Sequence, residues 1–468
     1  MQSRSCSISV IFLWLVTSAV LAKAVDNMEG NTAASKDSVP HIALLASGGG
    51  QRAAVGLVGS LYQMEKEDLL DTLLYLGGVS GSTWSMSSIY SDPQWSANMD
   101  TAVSRLSGPG VELGEALAWI NERSKDEYFS LTDVWGVLTS AGIMKQMDLR
   151  HLSDEVSRNA TNPYPIYSAI EKHCFSDGPI EGKWLEVSPH EAGFTELGLF
   201  IETSLLGSKF EGGELLEEKP EMDMVTLQGV LGCALADEET VKVFIPPWLN
   251  VPGYIDATAE EYLHVYNRLI KLVALTRSTI KDPTALSDMD KLQKILEDSM
   301  VPLCLRSEER FHLVDAGLLI NVAYPPFLGD KRDIDLIVAP EYSAGNMFET
   351  LTLARDYAAE VRRAFPDINN KTLEERDWPK DCYVFEGKQN EPSIIYLPLF
   401  NRRNCKDAEE VKAKMEEFST FQRPFSQEKI EFVLEVAKDN IKNNKETLLR
   451  EINKAVLRQH NKRKSMQH

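Results

Sequence analysis

The chain has 468 residues, 43% of them hydrophobic, so it can bury a large core as one big domain or a few ordinary ones. Its formal net charge of −21 opposes a phosphate backbone, which excludes a generic nucleic-acid binder and broad electrostatic attachment to anionic membranes. A membrane contact would have to be local and apolar, or made by a basic segment such as Arg450 to Lys464.

The first residues read as an address. Arg4 precedes the apolar run Ile8 to Leu21, and Ala22-Lys23-Ala24 follows as an A-x-A cleavage signal, so residues 1–24 are expected to be a signal peptide, with an uncleaved anchor as the rival. Residues 25–39 are polar and aperiodic, a linker into a single domain over 40–468. Five cysteines follow Ala24, which leaves at least one unpaired and is too few for a dense disulfide scaffold; Cys382 and Cys405 could pair in an oxidising compartment. Asn159 and Asn370 begin glycosylation sequons.

His41 to Ala46 suits a buried strand, broken by Ser47-Gly48-Gly49-Gly50. Ala53, Leu57, Leu61 and Met64 then mark one face of a helix ending near Leu70. Leu73 to Leu76 is a second apolar run, followed by Gly78-Val79-Ser80-Gly81-Ser82 and a helix-compatible stretch from Thr83 to Tyr90. Strand, glycine turn, helix, repeated, predicts an α/β layered fold with a largely parallel sheet and a ligand site at the strands' carboxyl ends.

The second turn has the form of a nucleophile elbow, which would expose the Ser80 hydroxyl on a strained strand-to-helix bend. An ordinary Gly/Ser loop has the same letters. The first turn places free N–H groups at a helix N-terminus and reads as a phosphate loop or as an oxyanion hole. Neither a P-loop lysine nor a G-x-G-x-x-G spacing is present, so the oxyanion reading is preferred, with Arg52 free to hold a substrate phosphate.

Between Ser104 and Phe311, helical segments alternate with aromatic-rich irregular ones. Phe244 to Leu249 carries two prolines and reads as core or as part of a lid within about 235–260; Gly212 to Asp223 reads as an acidic solvated loop. Phe311 to Val314 delivers Asp315 into a small-residue turn, as a catalytic carboxylate or a turn cap. Residues 426–468 form an amphipathic region with a basic end, apolar at Ile430, Val433, Leu434, Val436 and Ala437.

A serine nucleophile needs a proton acceptor. After Asp315 only His460 and His468 remain, both in the charged tail, and His312 projects to the opposite strand face from Asp315. His41, His151, His173, His190 and His264 are isolated. The inventory favours a Ser80–Asp315 dyad, with burial raising the aspartate pKa into the range of a useful base.

Ser47 to Gly56, Gly78 to Trp84 and Val314 to Gly317 together resemble the catalytic domain of the cytosolic (group IV) phospholipases A2, as do Trp184 to Glu191 and Tyr383 to Gly387. The resemblance runs from Val39 to about Asn453. It implies a patatin-like three-layer α/β/α fold, Ser80 as nucleophile, Asp315 as base, Gly49 and Gly50 as oxyanion donors, and Arg52 and Arg332 as phosphate ligands. It further implies hydrolysis of glycerophospholipid acyl esters through an acyl-enzyme at a membrane or micelle surface, with no obligate protein partner. No C2 module precedes this segment and no prenylation box ends it. The first trait is similar to the gamma-type branch, which implies that neither calcium nor another cofactor is needed. The signal-like start points to the secretory route or an anchored state, against the family's cytosolic address. Lysophospholipase or transacylase action, and a non-catalytic lipid-binding protein, are the alternatives.

Overall fold

A computed structural model describes residues 39–236, 303–306 and 311–466, apart from positions 127, 159–160, 178–182, 212, 330, 389, 421 and 423. The leader 1–24, nearly all of the linker, Asn159, and the lid region beyond Ala236 lie outside the described residues. Among the described residues no helix is long and apolar enough to cross a membrane.

Twelve strands are described: β1 Ile42–Ala46, β2 Tyr75–Gly78, β3 Tyr164–Glu171, β4 Trp184–Val187, β5 Glu191–Phe194, β6 Leu199–Glu202, β7 Lys209–Glu211, β8 Glu214–Glu217, β9 Leu313–Asp315, β10 Leu336–Glu341, β11 Tyr383–Phe385 and β12 Ser393–Pro398. Ten form one sheet, β11-β12-β10-β1-β2-β3-β4-β5-β6, with β9 paired to β3 off that path. The helices used below are α1 Gln51–Lys66, α2 Gly81–Tyr90, α3 Glu349–Glu360, α4 Gln427–Asn443 and α5 Lys445–Met466.

β1 is buried along its whole length. Ile42, Leu44 and Ala46 pack into one core with α1 and α4, while Ala43 and Leu45 pack into a second core with Leu351, Ala354 and Tyr357 of α3. A strand with no solvent face must lie between two helical layers, and the three-layer arrangement follows.

The sheet is mixed rather than largely parallel. β12, β10, β1, β2 and β3 run parallel; β11, β4, β5, β6 and β9 pair antiparallel to their neighbours. β4, β5 and β6 are joined by short turns, and a turn of that length can only reverse the chain, because a parallel crossover needs a dozen or more residues. The acidic stretch after Gly212 is not simply a loop, since β8 pairs with β7 in an exposed hairpin.

Element ends also differ from the periodicity. α1 stops at Lys66 and a 3-10 turn fills Leu70–Thr72, so β2 begins at Tyr75. The region expected as one amphipathic element from Ser426 is two helices broken at Asn444, whose side-chain amide donates to the Asn440 carbonyl and to Asp381. The basic end is held against the sheet. Arg458 donates to the Asp335 carbonyl, Gln459 to the Asp335 carboxylate, and Lys462 to Asp333.

The Cys382–Cys405 pairing that the sequence allowed does not form; both are free, and a disulfide joins Cys174 to Cys304 across 130 residues of sequence. Cys174 lies on the helix Lys172–Asp177 and Cys304 on Leu303–Arg306, and packing of those two helices brings their Cα atoms to 5.2 Å. Spacing along the chain carries no record of that packing.

Candidate active site

The register of the central strands assembles the site. Ala46 pairs with Gly78 and Gly78 with Tyr167, so the turns that follow β1 and β2 leave the sheet side by side. β3 runs on past that point, and its Ala169 pairs with Asp315 of β9. Asp315 is therefore delivered antiparallel to the carboxyl end of β2, next to the residue two places beyond Gly78, Ser80.

Ser80 has φ 51° and ψ −130°, a strained conformation for a residue with a side chain, and caps the start of α2. The elbow is held from within. The Ser82 hydroxyl donates to the Val79 carbonyl at 2.7 Å and accepts the Val79 N–H at 2.9 Å. The Thr83 N–H donates to the Ser80 carbonyl at 2.9 Å and the Thr83 hydroxyl does so at 2.5 Å. These bonds offset a cost of order 1–3 kcal/mol for such a backbone conformation.

Asp315 is fully buried. One carboxylate oxygen accepts the Gly317 N–H at 2.8 Å and the other the Ala234 N–H at 3.4 Å. Ser80 lies beside the same group: a β-carbon on Gly317 would fall 3.0 Å from Asp315 Oδ1 and 3.5 Å from Ser80 Cβ. Burial pushes its pKa up to about 6, against the opposing pull of Gly317, Ser80 and Ala234. Burial first, and then the Asp315 charge, push the neighbouring Cys233 thiol up to about 11, so it stays protonated near neutrality.

Gly49 and Gly50 have φ 145° and 60°, and neither N–H finds an acceptor among the described residues. They stand at the start of α1, where the helix dipole favours negative charge. Gly48 touches the serine. A β-carbon at Gly48 would lie 2.7 Å from Ser80 Cβ and 2.1 Å from Asn321 Oδ1.

Asn321 was not singled out by the sequence. Its carbonyl accepts the Gly48 N–H at 2.9 Å and its amide donates to the Ser343 hydroxyl at 2.8 Å, so it ties the glycine turn to the segment after β10. Ala234 was missed too, because it acts only through its backbone. The one available signal for Asn321 was its place shortly after the small-residue turn at Asp315.

The structure brings Ser80, Asp315, Gly49 and Gly50 together and does not bring either arginine to them as a ligand. Arg52 has no exposed surface, and its guanidinium donates to the Tyr342 carbonyl, the Phe418 carbonyl and the Thr420 hydroxyl. Arg332 forms a two-pronged pair with buried Glu186, at 3.0 and 2.6 Å, and packs near the Tyr75 and Phe327 rings. Tyr75 begins β2, so Arg332 lies at the opposite end of that strand from Ser80. Burial opposes ionisation of Glu186, but the hydrogen bonds and charge of Arg332, with Lys331, hold its carboxyl below the usual range.

Among the described residues no histidine contacts Ser80 or Asp315. His312 packs on the His173 ring beside Glu171, His190 meets the Tyr164 hydroxyl, and His41 meets the Arg332 carbonyl. Asn370 is exposed at the start of a short helix capped by Asn369.

The sequence profile described as the lysophospholipase catalytic domain matches residues 118–351, a stretch that holds Asp315 but begins after both glycine turns. Human cytosolic phospholipase A2 gamma is 29% identical over 491 residues, covering 89% of this chain and 90% of that protein. Human cytosolic phospholipase A2 zeta is 30% identical over 437 residues, covering 82% of this chain and about half, 51%, of that protein. The solved structure of human GIVD cytosolic phospholipase A2 aligns with a TM-score of 0.69 at 21% identity, over 97% of this chain and 65% of that one. At that identity the likeness speaks for the fold, which is the patatin-like three-layer fold expected.

Proposed function

The chain belongs to the lysophospholipase catalytic-domain family, among the group IV cytosolic phospholipases A2, and on that premise we propose that it hydrolyses glycerophospholipid acyl esters with Ser80 as nucleophile and Asp315 as its base. The reading rests on one observation above the others: a serine on a strained elbow stands beside a fully buried aspartate, next to N–H groups with no acceptor among the described residues.

In this reaction the Ser80 oxygen bonds to the ester carbonyl carbon while its proton passes to the Asp315 carboxylate. The carbonyl oxygen becomes an oxyanion facing the Gly49 and Gly50 N–H groups. As the intermediate collapses, the bond to the glyceryl oxygen breaks and that oxygen takes the proton from Asp315, leaving acyl-Ser80. Water repeats the sequence and frees the fatty acid. A lipid hydroxyl in place of water gives transacylation, and a lysophospholipid in place of a diacyl lipid is favoured by the name of the matching family profile. Leu318, 48% exposed, and Phe311, 53% exposed, flank β9 and offer an apolar rim to a lipid surface.

The base and the oxyanion donors are the chain's own groups, so we expect no calcium requirement. The Cys174–Cys304 disulfide, with the leader-like start, supports passage through an oxidising compartment, against the cytosolic address in the relatives' names. N-terminal sequencing of protein from animal cells should find Val25 first; an intact Met1 would argue against cleavage.

A related structure was solved with methyl gamma-linolenyl fluorophosphonate, and a fluorophosphonate of that class is the direct test here. It should label Ser80 in the wild type, and not label Ser80→Ala. Asp315→Asn should label far more slowly. Hydrolysis by folded Ser80→Ala would refute the mechanism, and a wild type that neither labels nor turns over would be a lipid-binding protein.

A further inference from the structure

Arg52 is the second residue of α1, directly behind the Gly49–Gly50 turn, and no part of it reaches the surface. Its Nε–H donates to the Tyr342 carbonyl at 2.7 Å, Nη1 to the Phe418 carbonyl at 2.5 Å, and Nη2 reaches the Thr420 hydroxyl at 3.5 Å. Two of these partners, Tyr342 and Thr420, crowd the turn together with Arg52 itself. A β-carbon on Gly49 would fall 2.5 Å from the Tyr342 oxygen and 3.1 Å from Arg52 Nη2, and one on Gly50 would fall 2.9 Å from the Thr420 methyl. The guanidinium therefore lies against the turn, between it and two chain segments nearly 300 or more residues away in sequence.

Neighbouring residues reinforce the same junction. Gln51, also buried, accepts the Phe425 N–H at 2.7 Å. Tyr342 donates its own N–H to the Ser47 hydroxyl, and its phenol exchanges a 2.7 Å hydrogen bond with Ser60 of α1. Among the described residues no carboxylate is at ion-pair distance from Arg52. The nearby Glu341 carboxylate is taken up by the Ser343 N–H and by the Thr350 and Tyr396 hydroxyls. Burial lowers the Arg52 pKa, while the charge of Glu341 pulls it back up, to about 10, so it remains a cation near neutrality.

A phosphate ligand needs free N–H donors facing a cleft, and Arg52 has its fork committed to two backbone carbonyls in the interior. We infer that Arg52 is a positioning residue for the oxyanion turn: it locks Tyr342 and the Phe418–Thr420 segment against Gly49 and Gly50 and sets beside the turn a positive charge with no carboxylate at ion-pair distance among the described residues. It does not hold the substrate phosphate. This rests on the assignment of Ser80 and the glycine turn under Proposed function. A buried, carbonyl-anchored cation acts on the oxyanion whatever alcohol the ester carries, whereas a phosphate ligand acts only on esters that bear phosphate.

The test compares two substrates in the same detergent micelles, a lysophosphatidylcholine and a 4-methylumbelliferyl fatty ester without phosphate, for wild type, Arg52→Met and Arg52→Lys. Arg52→Met is expected to lose about 100-fold in kcat on both substrates with KM little changed, the scale of losing one oxyanion donor. Arg52→Lys keeps the charge and loses the fork, so it should fall between the two on both substrates, and it serves if the methionine variant does not fold. A loss confined to the phospholipid, read as a raised KM with the neutral ester untouched, would overturn the inference. So would full activity on both. Fluorophosphonate labelling of Ser80 in the wild type separates this from failure of the underlying assignment: if Ser80 does not label, the nucleophile is wrong, whatever Arg52 does.

Discussion

Gly81 stands against the carbonyl oxygen of Gly50. A β-carbon at position 81 would lie 2.1 Å from that oxygen, closer than any two such atoms can come, so the nucleophile elbow and the glycine turn are in direct backbone contact. Gly81→Ala must push the two turns apart. Its expected effect is a stability loss of about 1–3 kcal/mol, as for other overpacked interiors. Misplacement by about 1 Å typically costs roughly 100-fold in rate. Thermal unfolding and steady-state kinetics on the same preparation check both, and a folded variant with unchanged kcat would show that the contact does not set the geometry.

In the proposed mechanism the buried Asp315, with its pKa raised to about 6, has to be ionised to accept the Ser80 proton. A profile of kcat/KM against pH should therefore fall tenfold per unit below about pH 6 and level off above it. A profile flat down to pH 4 would mean that Asp315 titrates as an ordinary carboxyl or is not the base.

The same shift has a stability consequence of opposite sense. A carboxyl whose pKa is raised on folding binds a proton more tightly in the native chain, so the stabilisation it gives is complete below its ordinary pKa of 3.8 and is lost as pH rises through about 6. Above pH 6 the native state carries a buried, penalised charge. Asp315→Asn removes it and should be inactive yet more stable than wild type at pH 8, by up to about 3 kcal/mol, with the gain vanishing near pH 4. Paired melting curves at the two pH values measure this.

Arg332 and Glu186 illustrate a charge whose role is in the fold. Lys331 and Thr195 also contact the Glu186 carboxylate, so Arg332→Ala leaves a buried anion with reduced compensation. Breaking such a pair typically costs about 3–5 kcal/mol. The variant should unfold at lower denaturant while its folded fraction keeps the wild-type KM for a phospholipid. A raised KM at unchanged stability would restore the phosphate role suggested by resemblance.

The Cys174–Cys304 bridge closes a long loop, and removing a native disulfide typically costs about 2–5 kcal/mol. Cys174→Ala/Cys304→Ala, or reduction of the wild type, should lower Tm. Cys382→Ser/Cys405→Ser should give no reductant-sensitive change, since those thiols are free. Mass spectrometry of unreduced peptides would identify the bridge directly.

Much of this was readable from local pattern. Apolar runs of strand length located β1 and, two residues early, β2, and the glycine turns after them placed Ser80 and the free N–H groups at strand ends, because small residues are required wherever the backbone bends sharply or meets another chain segment. The lack of a placed histidine pointed to Asp315. What the pattern did not carry were relations between distant segments. The guanidinium of Arg52 has the same chemistry whether it faces a cleft or two carbonyls, and only the packing of Tyr342 and Phe418 against the turn decides which. Arg332 is likewise drawn to the far end of β2 by Glu186, a partner 146 residues away. The choice of Cys174 and Cys304 depends on which helices pack, and the mixed sheet depends on turns too short for a crossover. Residue type and spacing determined which groups are proposed to react; tertiary packing decided that Arg52 and Arg332 are spent on the frame rather than left free to meet a substrate.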